Sequence, residues 1–394
     1  MELLIKGAMI VDWSQDFSGD IYIKNGVICE IGEDLDKNCK TIDAKGLTVL
    51  PSFIDLHVHF RDPGLTYKED LESGSRAAAK GGYTMVNLMA NTNPICSSMD
   101  TVDYVLNKSS ELGIIDVHQV VSITNNFDGN DISHLDKLKP CVKIISEDGK
   151  DVIDSRVMLK AMLKANEMKK IVMCHCEDHS LTGIDTRLAE DTMTLRNITL
   201  AQFTGCSVHM AHVSTKNSME YIIEAKKNGH NITCEVAPHH VALVDNDYRV
   251  NPPIRGKEDV EFLIKAIKDG WVDTISTDHA PHSVEDKKNG APGISGIETA
   301  FAVCYTKLVK EGHITLNRLS EIMSRNPANI IGVKKGQIKI GYDGDLVIAN
   351  LDTEYSISTE TFISKGKNTP FGGINVYGDV IKTIKGGKIT FSKN

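Results

Sequence analysis

The chain has 394 residues, of which 41% are hydrophobic and 25% charged, and its formal net charge is −9. This charge argues against nucleic acid or an anionic membrane surface as the main partner, and no apolar run approaches the roughly 20 residues needed to span a bilayer. The first residues lack the layout of a signal peptide. We therefore expect the nine cysteines to be free thiols in a reducing cytoplasm.

Both ends of the chain are rich in short β-strand patterns. Near the start, Ile21-Tyr22-Ile23 and Val27-Ile28-Cys29 flank Asn25-Gly26, which is a hairpin signal. Neither end is long enough to bury a good core alone. We therefore predict one small β-sandwich domain built from residues 1–49 and 336–394.

Residues 50–335 alternate apolar strand patterns with helical patterns. The eight strand patterns are Phe53–Val58, Tyr83–Leu88, Ile115–Val121, Val142–Ile145, Ile171–Met173, Val208–Ala211, Ile232–Val236 and Val272–Ser276. The helical patterns between them include Tyr67–Lys80, Asp100–Glu111, Asp154–Lys169, Thr192–Phe203, Asn217–Lys227 and Lys257–Lys268. Eight such units predict an α/β fold, a (β/α)8 TIM barrel. A doubly wound open sheet is the alternative, but the chain has no Gly-x-Gly-x-x-Gly turn to favour it.

Metal-binding side chains follow most of these strand patterns. Because side chains alternate along a strand, His57 and His59 should point to the same side, and Arg61 has the same parity. The other residues in such places are Asp148, His175, His212, His239, His240, Asp278 and His282. In a (β/α)8 barrel the carboxyl ends of all strands meet at one face, where active sites lie.

Several other residues have structural explanations. Cys174 and Cys176 flank His175 and should pack in the opposite direction. His118 and His209 are expected to be buried core residues. The pair His239-His240 could form the wall of a site or pack in the core.

Such a set of ligands permits metal-assisted hydrolysis. A carboxylate that bridges two metals, with two histidines on each side, leaves room for the attacking oxygen, and metal binding lowers the pKa of water towards neutrality. Asp278 can take up the proton and return it to a leaving nitrogen. Arg61 offers a planar fork that suits a carboxylate on the substrate.

Five motifs carry a resemblance that covers nearly the whole chain. They are His57-Val58-His59-Phe60-Arg61-Asp62-Pro63-Gly64, Asn91-Thr92-Asn93-Pro94, His212-Val213-Ser214-Thr215, Asn251-Pro252-Pro253-Ile254-Arg255 and Asp278-His279-Ala280-Pro281-His282. The chain resembles the amidohydrolase superfamily and, within it, the class I dihydroorotases of bacteria. That resemblance implies zinc-dependent, reversible hydrolysis of (S)-dihydroorotate to N-carbamoyl-L-aspartate in de novo pyrimidine biosynthesis, in the cytoplasm.

The resemblance also implies a role for individual residues. Two zinc ions would be held by His57, His59, Asp148, His175, His212 and Asp278, and Asp278 would be the catalytic acid and base. Arg61, Asn91 and His282 would bind the substrate carboxylate. Asn251 and the backbone near Pro292-Gly293 would contact the ring. A homodimer is expected, and association with aspartate transcarbamoylase is left open.

The bridging ligand is the main departure from the superfamily, many of whose members use a carboxylated lysine at the end of the fourth strand. Here that region contains Ser146-Glu147-Asp148-Gly149, and we assign Asp148 as the bridge. A carboxylated Lys143 is the competing assignment.

Two other functions compete with the one implied. A hydantoinase or allantoinase would act on related cyclic amides, whereas Arg61 and the Asp278–His282 motif favour a substrate with a carboxylate. A non-catalytic scaffold would be expected to lack ligands, and none is missing here.

Overall fold

The computed structural model describes residues 1–393. Both chain ends contribute strands to one sheet: β1 (Glu2–Asp12), β2 (Gln15–Lys24), β3 (Val27–Gly32), β4 (Lys40–Asp43), β5 (Thr48–Pro51) and, after the barrel, β14 (Leu346–Asn350), β17 (Asp379–Lys385) and β18 (Lys388–Ser392). The order is β18-β17-β14-β5-β1-β2-β3, with β4 paired to β1. These strands enclose a core that includes Ile10, Ile21, Val49 and Ile348.

Eight parallel strands form the barrel. They are β6 (Phe53–Val58), β7 (Tyr83–Leu88), β8 (Asp116–Gln119), β9 (Ile144–Ser146), β10 (Ile171–Cys174), β11 (Val208–Met210), β12 (Ile232–Val236) and β13 (Thr274–Ile275). Strands β6 to β8 pair in order, and so do β9 to β13. Two isolated bridges, Val121 with Ile145 and Val58 with His279, join these groups into a closed ring. The predicted (β/α)8 architecture is confirmed.

Helices surround the ring. They are α1 (Leu71–Lys80), α2 (Met99–Leu112), α3 (Ser155–Glu167), α4 (Thr186–Thr204), α5 (Lys216–Lys227), α6 (Pro238–Ala242), α7 (Lys257–Lys268), α8 (Val284–Lys288), α9 (Ala300–Cys304), α10 (Leu316–Ser320) and α11 (Asn326–Ile331), with π-helical turns after α9 and α10. Two short 3-10 turns, Asn125–Phe127 and Ser133–Lys137, stand between β8 and β9. Within residues 1–393, no helix combines the length and the apolar character needed to cross a membrane.

Helix starts differ from the predicted ones because the capping residues decide them. Asp70 accepts a hydrogen bond from Ser73 N at 2.8 Å, so α1 begins at Leu71 and not at Tyr67. Asp185 accepts from Arg187 N at 2.7 Å, so α4 begins six residues before the predicted Thr192. Apolar periodicity places a helix, whereas a single cap fixes its first turn.

Residues 351–378 lie between β14 and β17 but are not part of the end-strand sheet. They contain a small hairpin, β15 (Tyr355–Ser356) with β16 (Asn375–Val376). Their apolar side chains Ile357, Phe362, Phe371 and Val376 pack against Ala302 and Val303 of the barrel helix α9. We call residues 351–378 the tail segment. It packs against the barrel before the chain rejoins the sheet at β17.

Candidate active site

The predicted ligands meet at the carboxyl ends of the barrel strands. His57 belongs to β6, and His59 lies just beyond its end. The other members each follow a barrel strand within three residues: Asp148 after β9, His175 after β10, His212 after β11 and Asp278 after β13. His212 and Asp278 have positive φ angles of 31° and 48°. Such strained backbone in residues other than glycine is common at functional sites.

The Asp148 carboxylate lies at the centre of the cluster. Its Oδ1 atom is 3.3 Å from both His57 Nε2 and His175 Nδ1 and 3.7 Å from His212 Nε2, while Oδ2 is 3.5 Å from His59 Nε2. The four histidines therefore converge on one carboxylate.

Asp278 approaches the same cluster from the other side. Its Oδ1 atom is 3.1 Å from His59 Nε2 and 3.6 Å from His57 Nε2. Two groups of ligand atoms result, each lying within 4.8 Å of one another: His57, Asp148 and His212, and His57, His59 and Asp278. His57 is common to both groups.

The nitrogen and oxygen atoms of this cluster are better placed to bind a metal ion than to form hydrogen bonds with one another. His57 Nε2 and Asp148 Oδ1 are fully buried, yet within the described residues neither has a hydrogen-bond partner, although they lie only 3.3 Å apart. Buried polar atoms normally have partners. Imidazole nitrogens and carboxylate oxygens are the usual zinc ligands, so a cation between these atoms would satisfy both.

The electrostatics lead to the same conclusion. Burial alone would lower the pKa of His57, but Asp148 and Glu235 outweigh it and hold that pKa well above its usual range. Burial would raise the pKa of Asp148, but the neighbouring histidines, His57 first, hold it well below its usual range. The cluster therefore favours anionic carboxylates and a positive charge between them, which is the condition a divalent cation meets.

A pocket of about 200 Å³ opens over this cluster. It is lined by His59, Arg61, Asn91, Asp148, Gly149, His175, His212, Asn251, Asp278, Ala280, His282, Pro292 and Gly293. Every residue predicted to contact substrate therefore faces the same space as five of the six predicted metal ligands. His57, the sixth, is fully buried beneath it.

The Arg61 guanidinium lies at one end of the pocket, close to His282 and to the ion pair between Lys68 and Asp286. Arg61 Nη2 lies 3.4 Å from His282 Nε2, and Lys68 Nζ lies 3.3 Å from His282 Nδ1. Burial and the charges of Arg61 and Lys68 lower the pKa of His282 to about 3, so its imidazole is neutral. Within the described part of the chain, the buried Arg61 Nε has no hydrogen-bond partner. This end of the pocket therefore offers donors for an anion.

The comparisons with known proteins agree with this geometry. The family model described as "Amidohydrolase family" matches residues 48–390. The chain belongs to the amidohydrolase family. That family is metal-dependent, and the two groups of ligand atoms described above are candidates for its metal centre.

Members of the amidohydrolase family with curated names resemble the chain over its whole length. It is 55% identical to a dihydroorotase of Clostridium botulinum, with 100% of both chains covered, and 41% identical to one of Aquifex aeolicus, with 99% of both covered. Among solved structures, L-hydantoinase from Arthrobacter aurescens has a TM-score of 0.92 and 24% identity, covering 100% of this chain and 96% of its own. That structural likeness shows the fold.

The competing assignment for the bridging residue does not hold in this amidohydrolase. The Lys143 side chain is exposed and lies before β9, whereas Asp148 is buried at the centre of the cluster. A strand's alternation directs Lys143 away from the barrel interior. Arg61 does not continue the alternation of β6 as predicted, because β6 ends at Val58 and Arg61 has a φ angle of 60°. Arg61 nevertheless reaches the pocket, through a turn.

The prediction that His118 and His209 are buried core residues is confirmed. His118 is buried, with its ring nitrogens within hydrogen-bond reach of Asn87 and the carbonyl oxygen of Cys141. His209 is buried beside Thr233 and Glu235. Of the ambiguous pair, His240 donates to the carbonyl oxygen of Pro252. His239 is buried, and its Nε2 atom has no partner in residues 1–393.

Two carboxylates that orient the ligands, Glu235 and Glu177, were not predicted from the sequence. Glu235, on β12, accepts from His57 Nδ1 at 2.7 Å and from His209 Nε2 at 3.1 Å, and the His212 amide donates to it at 3.2 Å. Glu177 accepts from His175 Nε2 at 3.1 Å and from Asn251 Nδ2 at 2.9 Å. The position of Glu235 inside an apolar strand was the one available signal, since a glutamate there needs a buried partner.

We expect Glu235→Gln to weaken metal binding about 10–100-fold, because a carboxylate behind a ligating histidine fixes the ring and raises its basicity. Competition with a chelator measures this affinity. Glu220→Gln, an exposed change on α5, is the matched control. Equal affinities in the two variants would show that Glu235 does not support the centre.

Proposed function

We infer that the protein is a dihydroorotase, which hydrolyses (S)-dihydroorotate reversibly to N-carbamoyl-L-aspartate in pyrimidine biosynthesis. The observation that carries this inference is the 55% identity with a curated dihydroorotase over the full length of both chains. Arg61 in the pocket lining supports it, because dihydroorotate carries a carboxylate and hydantoin and allantoin do not.

We propose that the chain's own residues divide the work between two halves of the pocket. When bound at the cluster, the metal would polarise the ring carbonyl and lower the pKa of the attacking water. Asp278, whose pKa is lowered by the nearby histidines even though burial opposes this, is ionised and ready to accept the water proton. It then donates that proton to the amide nitrogen as the ring opens.

The other half holds the substrate. Arg61 would place its guanidinium against the substrate carboxylate, and neutral His282 would add a hydrogen bond beside it. Asn91 Oδ1 accepts from His59 Nδ1 at 2.8 Å, which leaves the Asn91 amide nitrogen for the carboxylate. Asn251 and the backbone at Pro292-Gly293 would contact the ring.

A panel of substrates tests the inference. The purified, zinc-loaded protein should turn over dihydroorotate and carbamoyl aspartate and leave hydantoin and allantoin essentially untouched. Turnover of hydantoin without turnover of dihydroorotate would make the protein a hydantoinase, the fold relative that the solved structures represent. Binding of zinc with no turnover of any of these compounds would move it to a scaffold role.

Replacing Arg61 with lysine should raise KM for dihydroorotate about 10–100-fold and leave the fold intact. Lysine keeps the charge but loses the two-pronged match to a carboxylate, and hydrogen bonds to charged groups contribute about 1.5–3 kcal/mol. Steady-state kinetics measure the change. Arg156→Lys, on the exposed start of α3, is the control. A parental KM in the Arg61 variant would remove Arg61 from the carboxylate site.

Further properties are proposed from the resemblance. They are two zinc ions per subunit, a homodimer and a cytoplasmic location, with association with aspartate transcarbamoylase left open. Metal analysis of the purified protein and its mass by light scattering, alone and with that enzyme, test all but the location. One metal per subunit, or the mass of a single chain, would overturn the corresponding proposal.

A further inference from the structure

The tail segment contacts the loops behind the substrate half of the pocket, and Asn368 makes the hydrogen bonds to them. Its side-chain Oδ1 accepts from the His282 amide at 3.0 Å and from Ser295 Oγ at 2.8 Å. Its Nδ2 donates to the carbonyl oxygens of Gly293 at 3.0 Å and Ala280 at 3.3 Å. A carboxamide has two donor hydrogens and two acceptor sites, so Asn368 uses all four.

The orientation of this carboxamide is fixed by groups whose roles are unambiguous. A backbone amide can only donate and a carbonyl oxygen can only accept, so the oxygen of Asn368 must face His282 N and its nitrogen must face the two carbonyls. The main-chain carbonyl oxygen of Asn368 makes a fifth hydrogen bond, which it accepts from the Ser295 main-chain amide at 2.7 Å. Aspartate, which is similar in shape, could not make the two donations.

The two loops joined by Asn368 both line the substrate half of the pocket. One contains Ala280 and His282, and the other contains Pro292 and Gly293. Ala280 N also donates to the Ile294 carbonyl oxygen at 2.8 Å, which connects the loops through their main chains. Asn368 adds a side-chain link between the same loops at Ala280, His282 and Gly293, which line the pocket.

The fit of the tail segment against these loops is close. A Cβ atom added at Gly366 would lie 2.6 Å from Ser295 Oγ and 2.7 Å from Pro281 Cβ. A Cβ added at Gly293, whose φ is +135°, would lie 2.6 Å from that of Ala280. No side chain fits at either position, so the segment and both loops pack as one unit.

The tail segment is itself anchored to the barrel. The Glu298 carboxylate accepts from the amides of Ile363 at 2.9 Å and Ser364 at 2.9 Å. Lys365 forms an ion pair of 2.5 Å with Asp70, the cap of α1. Ser364 Oγ donates to the fully buried Glu69. The barrel therefore anchors residues 363–365, and Asn368, three residues later, binds the two loops.

We propose that Asn368 is a positioning residue for substrate binding: it fixes the backbone that places His282 and Gly293 against the substrate. This inference deepens the proposed function and rests on it for the substrate's identity. Asn368 lines no part of the catalytic pocket itself and has no contact with the metal cluster among the described hydrogen bonds. Its loss should impair substrate binding and spare metal binding.

The test compares Asn368→Ala and Asn368→Asp with the parent and with Asn130→Ala, a change at an exposed asparagine between β8 and β9 that does not line the pocket. We expect KM to rise about tenfold or more in Asn368→Ala, with a smaller fall in kcat and with parental zinc content. Asn368→Asp should be worse, because its second oxygen would face the carbonyls of Ala280 and Gly293. A thermal melt checks that each variant is folded.

Hydrogen–deuterium exchange provides a readout that does not depend on the substrate. Asn368→Ala should speed exchange in residues 280–284 and 292–296 and leave residues 171–177, beside the metal cluster, unchanged. KM is measured on whichever cyclic amide the parent turns over, so an error in the proposed substrate does not remove the test. Faster exchange with an unchanged KM would make Asn368 an anchor only, and unchanged exchange with unchanged KM would overturn the inference altogether.

Discussion

Asp278→Asn should lower turnover of both dihydroorotate and carbamoyl aspartate at least about 100-fold, since general acid–base groups contribute typically about 10²–10⁴-fold. The same carboxylate serves both directions, because the base that takes up the proton in hydrolysis must supply it in ring closure. Asp278 is 7% exposed and faces the pocket, so its shape matters as well as its charge. Asparagine keeps the shape and cannot accept the proton.

The measurement is turnover in both directions on protein whose metal content has been determined. Asp278 Oδ1 lies 3.1 Å from His59 Nε2, so loss of metal is the competing cause of any defect. Asp36→Asn, at an exposed position between β3 and β4, is the matched control. A variant that keeps its metal and more than about a tenth of its activity would show that the proton goes elsewhere, and His282 would be examined next.

The second large effect is expected for Asp148→Asn. Four histidines share this carboxylate, and among the described residues no other carboxylate lies 3.3–3.7 Å from three of them. The loss of its charge should cost at least about half of the bound metal and at least about 100-fold in activity, since removing support even behind a ligand costs about 10–100-fold. Asp151→Asn is the control, as Asp151 is also buried but pairs with Arg196.

Metal analysis and turnover are measured together in the Asp148 variant. If excess zinc in the assay restored both to the parental level, Asp148 would contribute affinity alone. A full metal complement at ordinary zinc concentrations with unchanged activity would contradict its assignment as the bridging ligand.

The fold was predictable because its signals are local and repeated. Each barrel strand is an apolar run of a few residues, and eight of them alternate with helical periodicity, so an error in one boundary leaves the architecture unchanged. The run Val272–Ser276 yielded only Thr274–Ile275 as paired strand, for example. The ring still closes there, through the bridge between Val58 and His279.

The site was predictable where scarce residues follow strands and not where distant residues support them. A histidine that follows a strand pattern can be assigned to the site from its local sequence alone. Glu235 and Asn368 carry no local signal, because their partners are far away in the sequence: Glu235 is 178 residues from His57, and Asn368 is 86 residues from His282. The tail segment looks in the sequence like more of the small β domain, and only its packing against α9 and its hydrogen bonds to the loops reveal that it supports the pocket.

The order of strands in the end-strand sheet has a consequence for the growing chain on the ribosome. Strand β5 pairs with β1 on one side and with β14 on the other, and about 300 residues separate β5 from β14. At roughly 5–20 residues per second, synthesis leaves that edge of β5 without its partner for about 15–60 s. An unpaired strand edge is a template for pairing with other chains. The nascent protein is thus most exposed to aggregation while the barrel is being made, and a chain that stops before Leu346 never closes that edge.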